Sequence, residues 1–138
     1  MTKKLLHSKA TFTHSERERQ SLAERGEAVV ASMRHDHALI AWAKATGVYV
    51  RIDRRSIWGN PFEIGKDGDR TEVIEKYREH IRQEADLIER ITELRGRVLG
   101  CWCHPEPCHG GVLIELLNET PHEYDACRGL RSARSNCA

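Results

Sequence analysis

The chain has 138 residues, a formal net charge of +1 and 31% Asp, Glu, Lys and Arg. That length suits one domain, and the balanced charge excludes a bulk basic surface, so any nucleic-acid contact must come from a local patch. No run is apolar enough to cross a bilayer and residues 1–20 lack the apolar core of a secretory leader, so the expected setting is the cytoplasm, with no membrane partner and with the five cysteines reduced.

Residues 3–8, KKLLHS, can form a short first strand. HSERERQSLAERG (14–26) has a helical pattern, with Ser15 as N-cap, Glu18 at the capping-box position and Gly26 as the stop. EAVVASM (27–33) is short, apolar and partly β-branched, which predicts a buried strand. DHALIAWAKATG (36–47) places Leu39, Ile40, Trp42 and Ala43 at helical spacing between a cap at Asp36 and a stop at Gly47. VYVRI (48–52) is a strand by its β-branched and aromatic residues. Together these pieces predict β-α-β, a parallel pair joined by a right-handed crossover.

A polar loop from Asp53 to Arg70 follows, punctuated by Gly59, Pro61, Gly65 and Gly68. TEVIEKYREHIRQEADLIERITEL (71–94) is helical from a cap at Thr71, has Val73, Ile74, Tyr77 and Ile81 on one face, and can break near Gln83. GRVLGCWC (96–103) is a further strand and GGVLIELLN (110–118) a last helix. The expected organisation is one domain over residues 1–118 and a loose tail over 119–138, whose Cys127 and Cys137 take no part in any site. The fold class is α/β, a small three-layer, Rossmann-like domain with a mostly parallel sheet of three or four strands.

In such sheets ligands bind beyond the carboxyl ends of the strands. The residues there are His7, Ser8 and Lys9; Arg34, His35 and Asp36; Asp53, Arg54, Arg55 and Ser56; and His104, Cys108 and His109. Loop polarity explains their polar character but not the bias toward Arg, His and Cys. An arginine fork matches phosphate or carboxylate at two points, which makes Arg51, Arg54 and Arg55 candidates, with Arg34 and Arg70 behind them. A solvated surface is the alternative for Arg54 and Arg55. In WGNPF, Gly59 permits a tight turn or close approach, and Pro61 pushes Asn60 toward an extended backbone. The Asn60 amide can then read a ligand edge or pin the loop. Trp58 and Phe62 can stack on a base or sugar, or plug the loop onto the core. Asp67 and Asp69 can cap the next helix or hold Mg²⁺.

LGCWCHPEPCHGGVLIEL (99–116) has three readings. Strand alternation would turn Cys101 and Cys103 to one side and Trp102 to the other. With Cys108 and His109 they form a candidate zinc set, completed where needed by His104 or His35, although the spacing is not that of a zinc knuckle. Alternatively, Cys108, His109 and Gly110 open a helix whose free N–H groups favour an anion and a thiolate, making Cys108 a nucleophile with His109 beside it. The third reading is small cysteines packed at a crowded corner.

YVRIDRRSIWGNPFEIGKDGDR, followed at a distance by LGCWCHPEPCHGGVLIEL, resembles the bacterial and phage family catalogued as domain of unknown function 4326, from Tyr49 to Leu117. The residue usual in that family after CHG is Asp, and Gly111 stands there, which leaves His109 as the proton carrier. The turn is also similar, more distantly, to the C…P..CHR element of domain of unknown function 488. Neither resemblance implies a reaction. The expected function is binding of a phosphorylated or nucleotide-like ligand by an enzyme: Arg51, Arg54 and Arg55 at the anion, Asn60 and Trp58 at the base or sugar, Asp53 and Gly110 as further ligand-binding residues, and Cys108 and His109 for chemistry. The alternative is a non-catalytic, zinc-stabilised module binding nucleic acid.

Overall fold

Three short apolar runs pair into one parallel sheet. The structure, a computed structural model, describes residues 11–104 and 106–120. The strand expected at residues 3–8, with His7, Ser8 and Lys9, and the tail after residue 120, with Cys127 and Cys137, lie outside these. In chain order the elements are α1 (His14–Glu24), β1 (Val29–Ser32), α2 (His37–Thr46), β2 (Tyr49–Arg51), α3 (Arg70–Arg82), α4 (Ala85–Arg90), a 3-10 turn (Ile91–Leu94), β3 (Val98–Cys101) and α5 (His109–Glu119).

The sheet order is β1-β3-β2, with Val98 opposite both Val29 and Tyr49. The expected β1–β2 pair is therefore parallel but split, because β3 inserts between its members. All four residues of β3 are buried, as the centre of a parallel sheet requires, whereas β2 is half-exposed at an edge. Gly100 is needed in β3, since a Cβ there would overlap the Tyr49 hydroxyl and ring.

Alternation along the strands divides the core into two layers. Val29, Ala31 and Val98 pack with Leu39, Ile40 and Ala43 under α1 and α2. On the opposite face Val30, Ile52 and Leu99 pack with Tyr77, Ile81, Leu94 and Leu113 under α3, α5 and the 3-10 turn. This is a small α/β domain with helices on both faces of a parallel sheet.

Three helix starts differ from the sequence expectation. The N-cap of α1 is Thr13 and not Ser15, and its capping-box partner is Glu16 and not Glu18. Glu16 is buried; its Oε1 accepts from Thr13 N–H at 2.9 Å and its Oε2 from Leu39 N–H at 3.0 Å, so it also caps α2. Asp36 occupies the N-cap position of α2 but makes no side-chain cap. Its carboxylate is committed elsewhere, to Arg19 at 2.9 Å and to Ser32 N–H at 2.7 Å. Burial opposes its ionisation, yet Arg19 and Ser32 hold its pKa below the usual carboxylate value. α3 starts at Arg70, one residue before Thr71, because of the two caps the sequence offered it is Asp69 that closes a box with Glu72; it ends at Arg82, beside the expected break at Gln83.

Candidate active-site cleft

A cleft of about 250 Å³ opens at the carboxyl ends of β2 and β3. One wall is the loop after β2, through Asp53, Arg54, Asn60, Phe62 and Ile64. The first turns of α3 supply Arg70, Val73 and Ile74, and the far wall is Cys101, Trp102, Cys103, Pro107, Cys108 and His109. Trp102 and Ile64 are 50% and 52% exposed, unusual for large apolar side chains, so the rim offers flat apolar surface beside two guanidinium groups.

The loop wall is pinned from within. Asn60 Oδ1 accepts from Phe62 N–H at 2.9 Å, and Asn60 Nδ2 donates to the Val73 carbonyl at 3.2 Å, fastening the loop to α3. Of the two roles open to Asn60 in the sequence, this is the pinning one. Tyr77 O–H donates to the Trp58 carbonyl at 2.8 Å, and burial raises the Tyr77 pKa. The Trp58 ring is buried in the core rather than facing the cleft. Gly59 cannot carry a side chain, since a Cβ would lie 2.6 Å from the Asp53 carbonyl oxygen. Arg54 Nη2 donates to the Phe62 carbonyl at 3.2 Å and Arg70 Nη1 to the Pro107 carbonyl at 3.1 Å, which leaves further N–H groups on each fork.

The thiols meet at the floor. Cys108, at the N-cap of α5, has its Sγ 3.4 Å from Cys101 Sγ and accepts from Gly110 N–H at 3.3 Å. Cys103 interacts with the same Cys108 thiol and with the Arg70 guanidinium. A hydrogen bond from Cys108 holds the Cys101 pKa down to about 7, against burial. Cys108, helped by Arg70, holds Cys103 down to about 6. Donating to those two sulfurs, and burial, push Cys108 up. The helix N-terminus was expected to make Cys108 the thiolate. Its pKa is instead pushed up, because the two neighbouring sulfurs outweigh one amide N–H.

His109 opens α5 buried, 7% exposed. Its Nε2 lies 2.5 Å from the Ile52 carbonyl oxygen, and its ring meets Tyr77 edge-on at 5.0 Å between centroids. Burial lowers its pKa, so the ring is neutral with Nε2 protonated.

Of the residues singled out from sequence, Asp53, Arg54, Asn60, Cys101, Cys103, Cys108 and His109 line this cleft. Arg51, Arg55, Trp58 and Gly110 do not. Arg51 pairs with Asp53, which also accepts from Trp102 Nε1 at 3.3 Å and is held below the usual carboxylate pKa mainly by Arg51. Arg55 is exposed, with its N–H on Asp53. Gly110 is buried behind the cleft, where a Cβ would meet Val30 and Ile52. His104 is partly buried, and Arg34 and His35 are exposed. Among the described residues no group of three or more His, Cys, Asp or Glu side chains is arranged to hold a metal ion. Arg70 moves from a supporting to a central position. Trp102 joins the cysteines because β3 ends at Cys101, so strand alternation no longer separates them.

Residues 33–119 match the family described as Domain of unknown function (DUF4326). The chain belongs to this family. The matched segment contains every residue lining the cleft, whereas Glu16 and Arg19, which brace α2 and Asp36, lie before it. The "Uncharacterized 12.4 kDa protein in nrdA-td intergenic region" of Enterobacteria phage T4 is 38% identical over 80 residues, 50% of this chain and 67% of its own length. "Uncharacterized protein R718" of Acanthamoeba polyphaga mimivirus is 41% identical over 69 residues, 44% of this chain and 52% of its own length. No solved structure matches. Among the described residues no helix is long and apolar enough to cross a membrane.

Proposed function

We propose that the cleft binds a phosphorylated or nucleotide-like small molecule and that the domain is a cytoplasmic enzyme acting on it with its thiol cluster. The observation that carries this is the convergence of Arg54 and Arg70 with Cys101, Cys103 and Cys108 on one cleft at the strand ends. Two planar forks with spare donors suit a phosphate. At about 250 Å³, below the ~300 Å³ where ligand pockets usually begin, the cleft encloses a phosphate and its sugar and leaves a ring to lie on Trp102. Free thiols facing such a ligand, on Cys103 and Cys108, suit a reducing compartment.

Thermal unfolding with AMP, adenosine and inorganic phosphate tests the reading. AMP should stabilise the domain by ~2.7 kcal/mol at a hundred times its Kd, and adenosine far less. Arg54→Ala with Arg70→Ala should abolish the difference. No stabilisation by AMP or phosphate would end this reading. Stoichiometric zinc with a salt-sensitive affinity for DNA or RNA would put the zinc-stabilised nucleic-acid module in its place.

A further inference from the structure

We propose that Cys103 and Cys108 form a thiol–disulfide exchange centre on the floor of the cleft, with a low-molecular-weight, carboxylate-bearing disulfide as co-reactant. The inference shares the cleft with the reading above but does not need a nucleotide to bind there.

Core packing accounts fully for one cysteine here and only in part for the other two. Cys101 is 1% exposed and fills the core, but Cys103 and Cys108 are only half-buried and face the cleft. Cys108 is the shared neighbour: its sulfur touches Cys101 at 3.4 Å, interacts with Cys103, and is held by Gly110 N–H. Neighbouring thiols lining one cleft, two of them open to solvent, are the arrangement in which a mixed disulfide formed on one thiol is resolved by another. Arg70 stands beside Cys103 and Arg54 across the cleft, so an anionic disulfide is drawn to the reactive end.

In the first step the Cys103 thiolate attacks one sulfur of R–S–S–R. A Cys103–S–S–R bond forms, the R–S–S–R bond breaks, and RS⁻ leaves and takes up a proton. Cys108 then gives up its proton to solvent and attacks Cys103 Sγ; the mixed disulfide breaks and the second RS⁻ leaves and is protonated. Two protein thiols are oxidised to one disulfide, and one external disulfide is reduced to two thiols. The electrostatics run the same way: Cys101 and Cys103 are held down and Cys108 up, and of the two lowered thiols Cys103 is the one open to the cleft, since Cys101 is buried.

The test uses the full chain, reduced and desalted, then mixed with oxidised glutathione, quenched with iodoacetamide and read by intact and tandem mass spectrometry. Expected is a transient glutathione adduct on Cys103, followed by a Cys103–Cys108 bond with a loss of ~2 Da. Cys108→Ser should stop at a stable Cys103 adduct, Cys103→Ser should form neither product, and Cys101→Ser should complete both steps. Arg70→Ala should slow the reaction several-fold with oxidised glutathione and much less with cationic cystamine. Adducts appearing first on Cys101 or Cys108, or inert thiols in a chain folded by circular dichroism, would overturn the proposal. So would thiols that react only after a chelator is added. A chain that exchanges disulfides but is not stabilised by AMP or phosphate would retain this inference and lose the nucleotide reading; the converse would do the reverse.

Discussion

His109 donates its Nε2 proton to the carbonyl oxygen of Ile52, joining the start of α5 to the end of β2 across 57 residues of sequence. The contact satisfies a buried carbonyl and fixes the tautomer, leaving Nδ1 as the ring's basic atom. A proton-carrier role for His109 can therefore use Nδ1 alone.

The neutral, buried imidazole links stability to pH. Burial lowers the folded-state pKa, so the unfolded chain binds the proton more readily. This contribution is fully present above the unfolded value of ~6.5 and is lost as pH falls below it. Urea unfolding at pH 7.5 and 5.5 should show the loss. His109→Gln, which retains a donor for Ile52, should flatten the acid dependence. His109→Ala should cost ~1–3 kcal/mol at pH 7.5 by orphaning the carbonyl.

Glu16 is expected to be worth more than its place in an outer helix suggests. One carboxylate closes the capping box of α1 and caps α2 through Leu39 N–H. Glu16→Ala removes both contacts and leaves buried donors, at a cost of ~2–3 kcal/mol, whereas Glu18→Ala, on an exposed residue, should stay within ~0.5 kcal/mol. Equal midpoints for the two variants in urea would show that the cap carries nothing.

The adjacent glycines at the start of α5 should respond oppositely. A Cβ on Gly110 would lie 2.9 Å from Val30 Cγ2 and 3.1 Å from Ile52 Cδ1, two core atoms with little room to move. Gly110→Ala should destabilise by ~1–3 kcal/mol through overpacking. Gly111 has nothing within 4 Å of its Cβ position, so Gly111→Ala should stabilise the helix by ~0.5–1 kcal/mol. Thermal melts of the two variants, one down and one up, check the pair.

Much of this architecture was legible because local signals and packing agree. Val29–Ser32, Tyr49–Arg51 and Val98–Cys101 are short apolar or β-branched runs, and they are the strands. Sheet order was not legible: nothing local states that Val98 pairs with both Val29 and Tyr49. The helix starts moved because side-chain caps compete across the chain. Asp36 is a good cap by type, but Arg19, seventeen residues earlier, takes its carboxylate and Glu16 replaces it. At the site, residue identity located the cysteines and Arg54. It did not reveal that Arg51 would be spent on Asp53, that Trp58 would be buried, or that neighbouring sulfurs and burial would push the Cys108 pKa up. Each of these depends on a partner distant in sequence.

The thiol cluster should give the domain a stability maximum on the alkaline side of neutral. Cys103 has a folded-state pKa of about 6, below a free thiol's ~8.5, so its contribution is complete above ~8.5 and is lost as pH falls through about 6. Cys108 is shifted the other way; its contribution is complete below the free-thiol value and is lost as pH rises past it, when the unfolded chain ionises first. Cys101, held down to about 7, adds to the acid limb, so stability should peak near the free-thiol value of ~8.5. Urea unfolding under a reductant, from pH 5.5 to 10, reads both limbs. Cys103→Ser should remove its own share of the acid limb and leave the parts due to Cys101 and His109. Arg70→Ala should shift that limb upward, since the guanidinium no longer helps hold the thiolate. Iodoacetamide should label Cys103 before Cys108 across the same range, with a rate that rises through pH about 6. Labelling led by Cys108, with a midpoint below that of a free thiol, would mean that the amide of Gly110 governs the cluster and that the two neighbouring sulfurs do not.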